Sequence, residues 1–478
     1  MRYTGHPLVD AGVAAITAHA GRERPEDLTP GDLEAWAATS LRLYASETAK
    51  LAMNQLFTKN FAYIHPSMKP PRRIEETSAL LYAWRDGHPG TDRCAYCGQA
   101  ALPDRVHRDR VPLLEGRERM NFGPGGVAGL LVCGSCRLAL QALVLAAPVA
   151  SSKVTVMETP DPRLRLEVYG RWVRTGLEYA ERSLLTGEKL TVPLGPLATV
   201  VDTLAEVYAQ AEDKAAERPD APAARESVAT PAVTVYAFSN SGQGPTVDVY
   251  RLPSPVVEWL RVSQSHRLRA TWAMLVRRAH ERHKDAWGRA VAALPLGVER
   301  FVRFQFMPFV RLFREDAVAV DSGPIRAYEL AQRLLEGVVG VRGERIRAIE
   351  ELAARLGEEI SGHGEIRVYR EMFQRNVRYY QEVRQLLLRA NMRRIRRGDP
   401  PLMGLEGFVT VFDEGIDETP RVDWRLAWDL TLLAVAERLW AAGWFRAHAD
   451  LVPQVDEEGG GDDLETDHMQ GGSEAWRS

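Results

Sequence analysis

The residues best suited to chemistry in this 478-residue chain are its four cysteines, which fall into two pairs of one spacing, Cys94-Ala-Tyr-Cys97 and Cys133-Gly-Ser-Cys136. A turn of that length points two thiolates at one spot, and two such turns complete the tetrahedral sulfur shell that zinc favours. The small residues Gly98 and Gly134 suit tight turns. The expected product is one structural Zn2+ held by Cys94, Cys97, Cys133 and Cys136, closed to catalysis because no coordination position is left open. The 35 intervening residues exceed a usual spacer, so the pairing implies an insertion between the two knuckles. Another metal, or a pair of reversible disulfides, is the competing reading, although a redox pair does not call for a second one.

Two loops carry side chains that can read bases. The insertion contains Asn121, Phe122, Gly123, Pro124, Gly125 and Gly126. With Ala128 this run nominally matches GxGxxA, but the dinucleotide fingerprint needs a strand before it and a helix after it within a βαβ unit. A glycine loop that brings backbone close to another backbone or to a base edge fits better, and a plain turn between knuckles is the bland alternative. Further on, the β-rich runs 234–238 and 246–250 flank residues 239–245, a seven-residue loop of turn formers, and predict a hairpin. Its tip holds Asn240 and Gln243. Amide side chains both donate and accept, so they can pair with adenine in a major groove or with the guanine amino group in a minor groove.

The net charge is only −3, but residues 251–400 carry 29 Lys+Arg against 18 Asp+Glu. Such a local excess is an electrostatic footprint for a polyanion. Within it, residues 365–397 pattern as one helix. Ile366, Tyr369, Phe373, Val377, Tyr380, Val383, Leu387 and Ala390 make its core stripe. Arg367, Arg375, Arg378, Arg389, Arg393 and Arg396 fall within an opposite sector of roughly 80°, at about 100° per residue. A column of guanidiniums grips phosphates, and a solvated helix face is the bland alternative. The aromatic run 301–313, with Arg303 and Arg311, reads as core rather than as a base-stacking platform. His280 and His283 stand one residue short of the HExxH of a zinc protease. His107-Arg108-Asp109 is not an adjacent His-Asp pair, and no nucleophile elbow or phosphate loop is found.

The surrounding elements predict an α+β chain. Residues 6–20 read as an Ala-rich helix. Thr29, with Pro30 at the first helical position, opens a longer helix running through Trp36 toward Asn54. Lys69-Pro70-Pro71 reads as a break, residues 154–156 as a strand and residues 212–232 as a polar linker. Helices dominate after about Pro253, and Trp424, Trp428, Leu432, Val435 and Leu439 form bundle core. The expected organisation is a mixed N-terminal domain over 1–320, with an inserted zinc-knuckle module at about 90–140 and the β-hairpin. A C-terminal helical bundle over 321–452 and a disordered acidic tail over 453–478 follow. No signal peptide or membrane span is read, so a cytoplasmic location is expected.

Three blocks together resemble a known family. They are Thr4-Gly5-His6-Pro7-Leu8-Val9-Asp10-Ala11-Gly12, then the cysteine pairs around Arg108-Asp109-Arg110 and Asn121–Gly126, then Phe238-Ser239-Asn240-Ser241-Gly242-Gln243-Gly244-Pro245. The blocks, over about 4–252, are similar to those of the CXXC–CXXC CRISPR-associated proteins, the large subunits of type I (I-A/I-B-like) Cascade complexes. The resemblance implies a non-catalytic, prokaryotic subunit bound to a CRISPR RNA, target DNA and the backbone and handle-binding subunits. It implies recognition of a protospacer-adjacent motif on duplex DNA, support of R-loop formation and recruitment of a helicase-nuclease, while guide pairing reads the rest of the target. With that role, the amide- and glycine-bearing loops make Asn121, Phe122, Gly123, Gly125, Gly126, Asn240 and Gln243 the expected motif readers, with holding the 5′ end of the guide as the alternative for either loop, and the resemblance favours backbone contact by the arginine column. A zinc-dependent nuclease, a free-standing zinc-ribbon regulator and a structural scaffold are the alternatives.

Overall fold

The computed structural model describes residues 1–113, 128–217, 230–241, 244–273, 327–334, 336–337, 341–374, 377, 379–412, 424–448 and 451. Expectations for Asn121, Phe122, Gly123, Gly125, Gly126, Gln243, Arg375, Arg378, the run 301–313, His280, His283 and the tail lie outside them. The described residues are mixed α+β and fall into two compact units, one drawn from Met1–Phe301 with Glu329–Val341 and the other from Val302–Tyr328 with Arg342–Ser478.

The first unit is built around α1, Pro7–His19, whose residues 8–17 are all buried. An Ala-rich helix without a polar face can be enclosed on every side, and α1 packs against α6 and α7. Around it stand α2 (Pro30–Leu43), α3 (Glu47–Leu56), α4 (Pro70–Leu81) and α5 (Ala83–Asp86). The short β1 (Arg105–Val106) and β2 (Leu130–Leu131) form an antiparallel ribbon. After α6 (Gly134–Ala146), the strands β3 (Val149–Ala150) and β4 (Lys153–Glu158) lead to α7 (Pro162–Thr186) and α8 (Pro196–Glu217). Then β5 (Val233–Ser241) and β6 (Gly244–Leu252) complete an antiparallel sheet of order β3-β4-β5-β6, followed by α9 (Ser254–Ser263) and α10 (Ala327–Leu334). On β5 the buried Val233, Val235 and Ala237 alternate with half-buried Thr234 and Tyr236, the period-two pattern of a sheet covered on one face.

Two contacts fix this core. A Cβ on Gly12 would stand 1.7 Å from the Ala139 carbonyl oxygen, so the α1–α6 crossing admits only glycine there. Asp10, 2% exposed, accepts from the Thr4 amide at 2.6 Å, the Thr4 hydroxyl at 3.0 Å and the Gly5 amide at 3.0 Å. Arg165 on α7 lies 3.7 Å from Asp10 and 3.0 Å from Glu158, with its guanidinium over the Tyr3 ring. Burial pushes the Glu158 carboxyl up despite that guanidinium, and burial pushes the Tyr3 hydroxyl up to about 12. The N-terminal block Thr4–Gly12 thus works as a structural lock.

The second unit holds α11 (Gly343–Ser361), α12 (Ile366–Tyr369), α13 (Tyr380–Arg397), α14 (Leu405–Phe412), α15 (Trp424–Ala441) and α16 (Trp444–Ala447). Its core includes Ile349, Leu356, Val383, Leu387, Trp428, Val435 and Leu439. Tyr380 packs on Phe412 and Trp424 with ring centroids 5.7 and 5.6 Å apart. Glu359, fully buried, receives Arg394 at 2.7 Å and is also bound by Arg397.

Several expected elements are corrected. The helix from Pro30 toward Asn54 is two helices, because the Ser46 hydroxyl accepts from the Ala49 amide and starts α3 afresh. Pro70 opens α4, where proline loses no hydrogen bond. Helix α8 continues through residues 212–217, so the linker reading fails over that stretch. The seven-residue hairpin loop is mostly strand, since Ser239 pairs with Thr246, Asn240 with Pro245 and Ser241 with Gly244. The single helix over 365–397 is interrupted by a π turn at Arg370–Gln374 before α13 begins.

Replacing Gly12 by Ala should lower unfolding stability by about 1–3 kcal/mol through overpacking against backbone that cannot rotate away. Denaturant unfolding followed by circular dichroism measures it. An unchanged midpoint would mean that α1 and α6 can part without cost.

Candidate metal centre

The first knuckle is a turn closed by two backbone bonds, from the Cys94 amide to the Gln99 carbonyl at 2.7 Å and from the Gly98 amide to the Cys94 carbonyl at 3.0 Å. Gly98 has φ +69°, the left-handed conformation that such a turn needs. The second knuckle is the start of α6, where Cys133 is the N-cap and its sulfur accepts from the Cys136 amide at 3.5 Å. Gly134 serves packing more than turning, because a Cβ there would lie 2.3 Å from the Ala83 carbonyl of α5. The knuckles are stitched by the Ala95 amide on the Leu131 carbonyl at 2.9 Å and by the β1–β2 ribbon.

These elements bring the four sulfurs within 4.8 Å of one another, with Cys97 and Cys133 at 3.5 Å. All four cysteines are free, and Cys94 and Cys136 are buried. A tetrahedron with metal–sulfur bonds of about 2.3 Å has edges of about 3.8 Å, so the cluster has the size of a four-thiolate shell. Hydrogen bonding from Cys133 and Cys136 pulls the Cys94 thiol down, while hydrogen bonding with Cys133 and Cys94 pushes the Cys136 thiol up. A soft divalent cation bound among these sulfurs would displace their protons. The expected ligand set is therefore assembled as a possible metal site.

Neighbouring groups clamp the module to the core. Arg2 donates to the Cys97 carbonyl at 2.6 Å, and His6 meets the Tyr96 ring edge-on at 4.7 Å. Arg137 of α6, 3% exposed, grips Asp104 at 2.7 and 2.9 Å and also reaches the Val132 carbonyl. The Arg137 guanidinium holds the Asp104 carboxyl below its ordinary value.

Asn240, expected as a base reader, sits where β5 approaches the module. Its Oδ1 accepts from Arg108 Nη2, its amide nitrogen donates to the Phe57 carbonyl, and its backbone N–H donates to Gln55 Oε1 at 3.3 Å. Both edges of the side chain are engaged within the fold, and one of them aims Arg108. Arg108 Nε and His107 Nδ1 are buried and have no hydrogen-bond partner among the described residues. Reading the sequence by residue type passed over Arg108, although the Arg-Asp-Arg run contained it.

The arginine column is divided. Arg367 on α12 pairs with Glu371 at 3.1 Å. Arg389, Arg393 and Arg396 share one face of α13, where Arg389 and Arg396 are exposed and Arg393 is half-buried. A second group of ligand types, Glu359, His363 and Asp399, also comes together. Arg394 and Arg397 already balance Glu359, and two guanidiniums there oppose a cation. Among the described residues no helix is long and apolar enough to cross a membrane. Compared with family models, curated proteins and solved structures, the chain matches none.

Titrating cadmium into the metal-free chain should saturate at one equivalent with thiolate-to-metal absorption, and the double change Cys94→Ser, Cys97→Ser should abolish it. Thiols that react equally fast with and without metal would contradict a shared shell. Because folding lowers the Asp104 pKa, its clasp on Arg137 is fully present above about pH 4 and lost as the pH falls through the depressed value. Asp104→Asn should flatten that acid limb of the stability profile, and an unchanged limb would assign it elsewhere.

Proposed function

We propose that the chain is a non-catalytic, nucleic-acid-binding large subunit of a type I Cascade-like complex, with one structural zinc ion in the four-cysteine centre. One observation carries the reading. Two of the blocks that support the resemblance, Arg108–Arg110 and the hairpin end, are 132 residues apart at their contact and meet through Arg108 and Asn240. In this reading zinc stiffens the knuckles, whose folding energy is then partly metal-binding energy. Arg108, half-buried and held by Asn240, is the guanidinium assigned to a phosphate or a guanine edge, both of which suit its fork. Asn240 acts as a positioning residue. Motif reading is assigned to Asn121, Phe122, Gly123, Gly125 and Gly126, with Gln243. Arg389, Arg393 and Arg396 contact the backbone of DNA or guide RNA.

The partners follow from the same reading: a CRISPR RNA, target DNA, the backbone and handle-binding subunits, and a helicase-nuclease recruited on target binding. Sequence is read by the guide beyond the short protospacer-adjacent motif. A cytoplasmic, prokaryotic location accords with it.

Purified with its neighbouring subunits, the chain should carry a CRISPR RNA. In that complex Arg108→Ala should weaken target-duplex binding about tenfold, ~1.4 kcal/mol. Replacing Arg389, Arg393 and Arg396 together by Ala should make the salt slope shallower by about 0.9 per lost duplex phosphate or about 0.7 per single-strand contact. A complex that assembles without RNA, or wild-type binding and slope in both variants, would contradict the proposal.

A further inference from the structure

The outward face of α13 combines two stripes. Leu388, Met392 and Ile395 are 55%, 52% and 54% exposed, a contiguous row at helical spacing rather than scattered apolar residues. At about 100° per residue they span about 60°, and Arg389, Arg393 and Arg396 occupy the adjoining sector of about 60°. These three arginines form no ion pair among the described residues, whereas Arg394 and Arg397 on the other side are committed to Glu359. Arg389 and Arg396 are exposed to an occupant, while Arg393 is half-buried, with Nε and Nη2 enclosed and without a hydrogen-bond partner among the described residues. The face therefore asks for an occupant that is anionic and also apolar at intervals.

The same chain contains one. Residues 456–467 hold seven acids, Asp456, Glu457, Glu458, Asp462, Asp463, Glu465 and Asp467, and no Lys or Arg. Leu464 and Met469 lie within or beside the second acidic group. Leu451, a described residue of the same unit, precedes this stretch. An extended chain covers at most about 3.3–3.6 Å per residue, so residues 452–467 can reach about 50 Å. Helix α13 has 18 residues, a length of about 27 Å at 1.5 Å per residue. Tethering gives such a segment an effective concentration of the order of millimolar, enough for weak surface pairing to persist.

We propose that the acidic segment 456–467 docks within its own chain along the Leu388–Met392–Ile395 stripe and its arginines, occupying that face as a nucleic-acid backbone would. The inference of docking stands on the two stripes and the segment's composition. Its regulatory meaning, release by a competing polyanion, rests on the reading of the arginines as nucleic-acid contacts.

The test uses the full chain with Met392 replaced by benzoylphenylalanine. Illumination should join position 392 to residues 452–469 in the monomer, as mapped by mass spectrometry. Changing the seven acids to their amides should cut that yield about fivefold or more, as should 1 M salt, where the screening length is about 3 Å. No cross-link to this segment, or an equal yield from the amide chain, would overturn the docking. A cross-link found only in covalent dimers would overturn its intramolecular form. In parallel, the amide chain should bind a labelled 20-nucleotide single-stranded DNA about tenfold tighter, as expected when a competing polyanion is removed. An acid-dependent cross-link with unchanged DNA affinity would uphold the docking and refute the nucleic-acid role of the α13 arginines.

Discussion

Four thiols held within 4.8 Å of one another cannot all ionise unless a cation sits among them, and both knuckles that meet this constraint are tied into the core of the first unit. The second knuckle is not an appendage but the N-cap of α6. Helix α6 is itself buried along nearly its whole length and crosses α1 where Gly12 leaves no room for a Cβ. The first knuckle is tied back to the N-terminus by Arg2 and His6. A change at the sulfurs is therefore felt at once by the start of the core helix and by the insertion that carries Arg108.

Acid–guanidinium groups, each with at least one buried member, fix the remaining joints. Asp10, Arg165 and Glu158 lock the N-terminal block to α7, Arg137 clasps Asp104 beside the knuckles, and Glu359 holds Arg394 and Arg397 in the second unit. Such groups are weak sources of net stability, because desolvation offsets most of the attraction. Losing one partner is costly, since the other charge is left buried. Their value lies in fixing register: Asp10 starts α1 at one residue, and Asp104 fixes how β1 meets α6.

The cysteine set, the α2 start at Thr29 and the hairpin were legible because each depends on local chemistry: ligand spacing, a capping box and alternating β-branched residues. The break at Ser46 was also local but was hidden by reading one helix from Trp36 on toward Asn54. Residues 212–217 were misjudged because an Ala-, Glu- and Lys-containing run is equally at home in a linker and in a solvated helix face. The interruption in 365–397 has no propensity signal, since the apolar period continues across the π turn. Phase arguments about its arginines then hold only within α13. The use of Asn240 to hold Arg108 was beyond reach of the sequence, because it is made by a partner 132 residues away.

The central claim is that the two knuckles share one sulfur-only metal shell that organises the site beside it. X-ray absorption fine structure at the zinc edge, on the purified full chain, tests it most directly. The account predicts one zinc per chain with four sulfurs at about 2.3 Å and no nitrogen or oxygen scatterer. A mixed sulfur and nitrogen or oxygen shell, or a chain that folds fully while holding no metal, would contradict it.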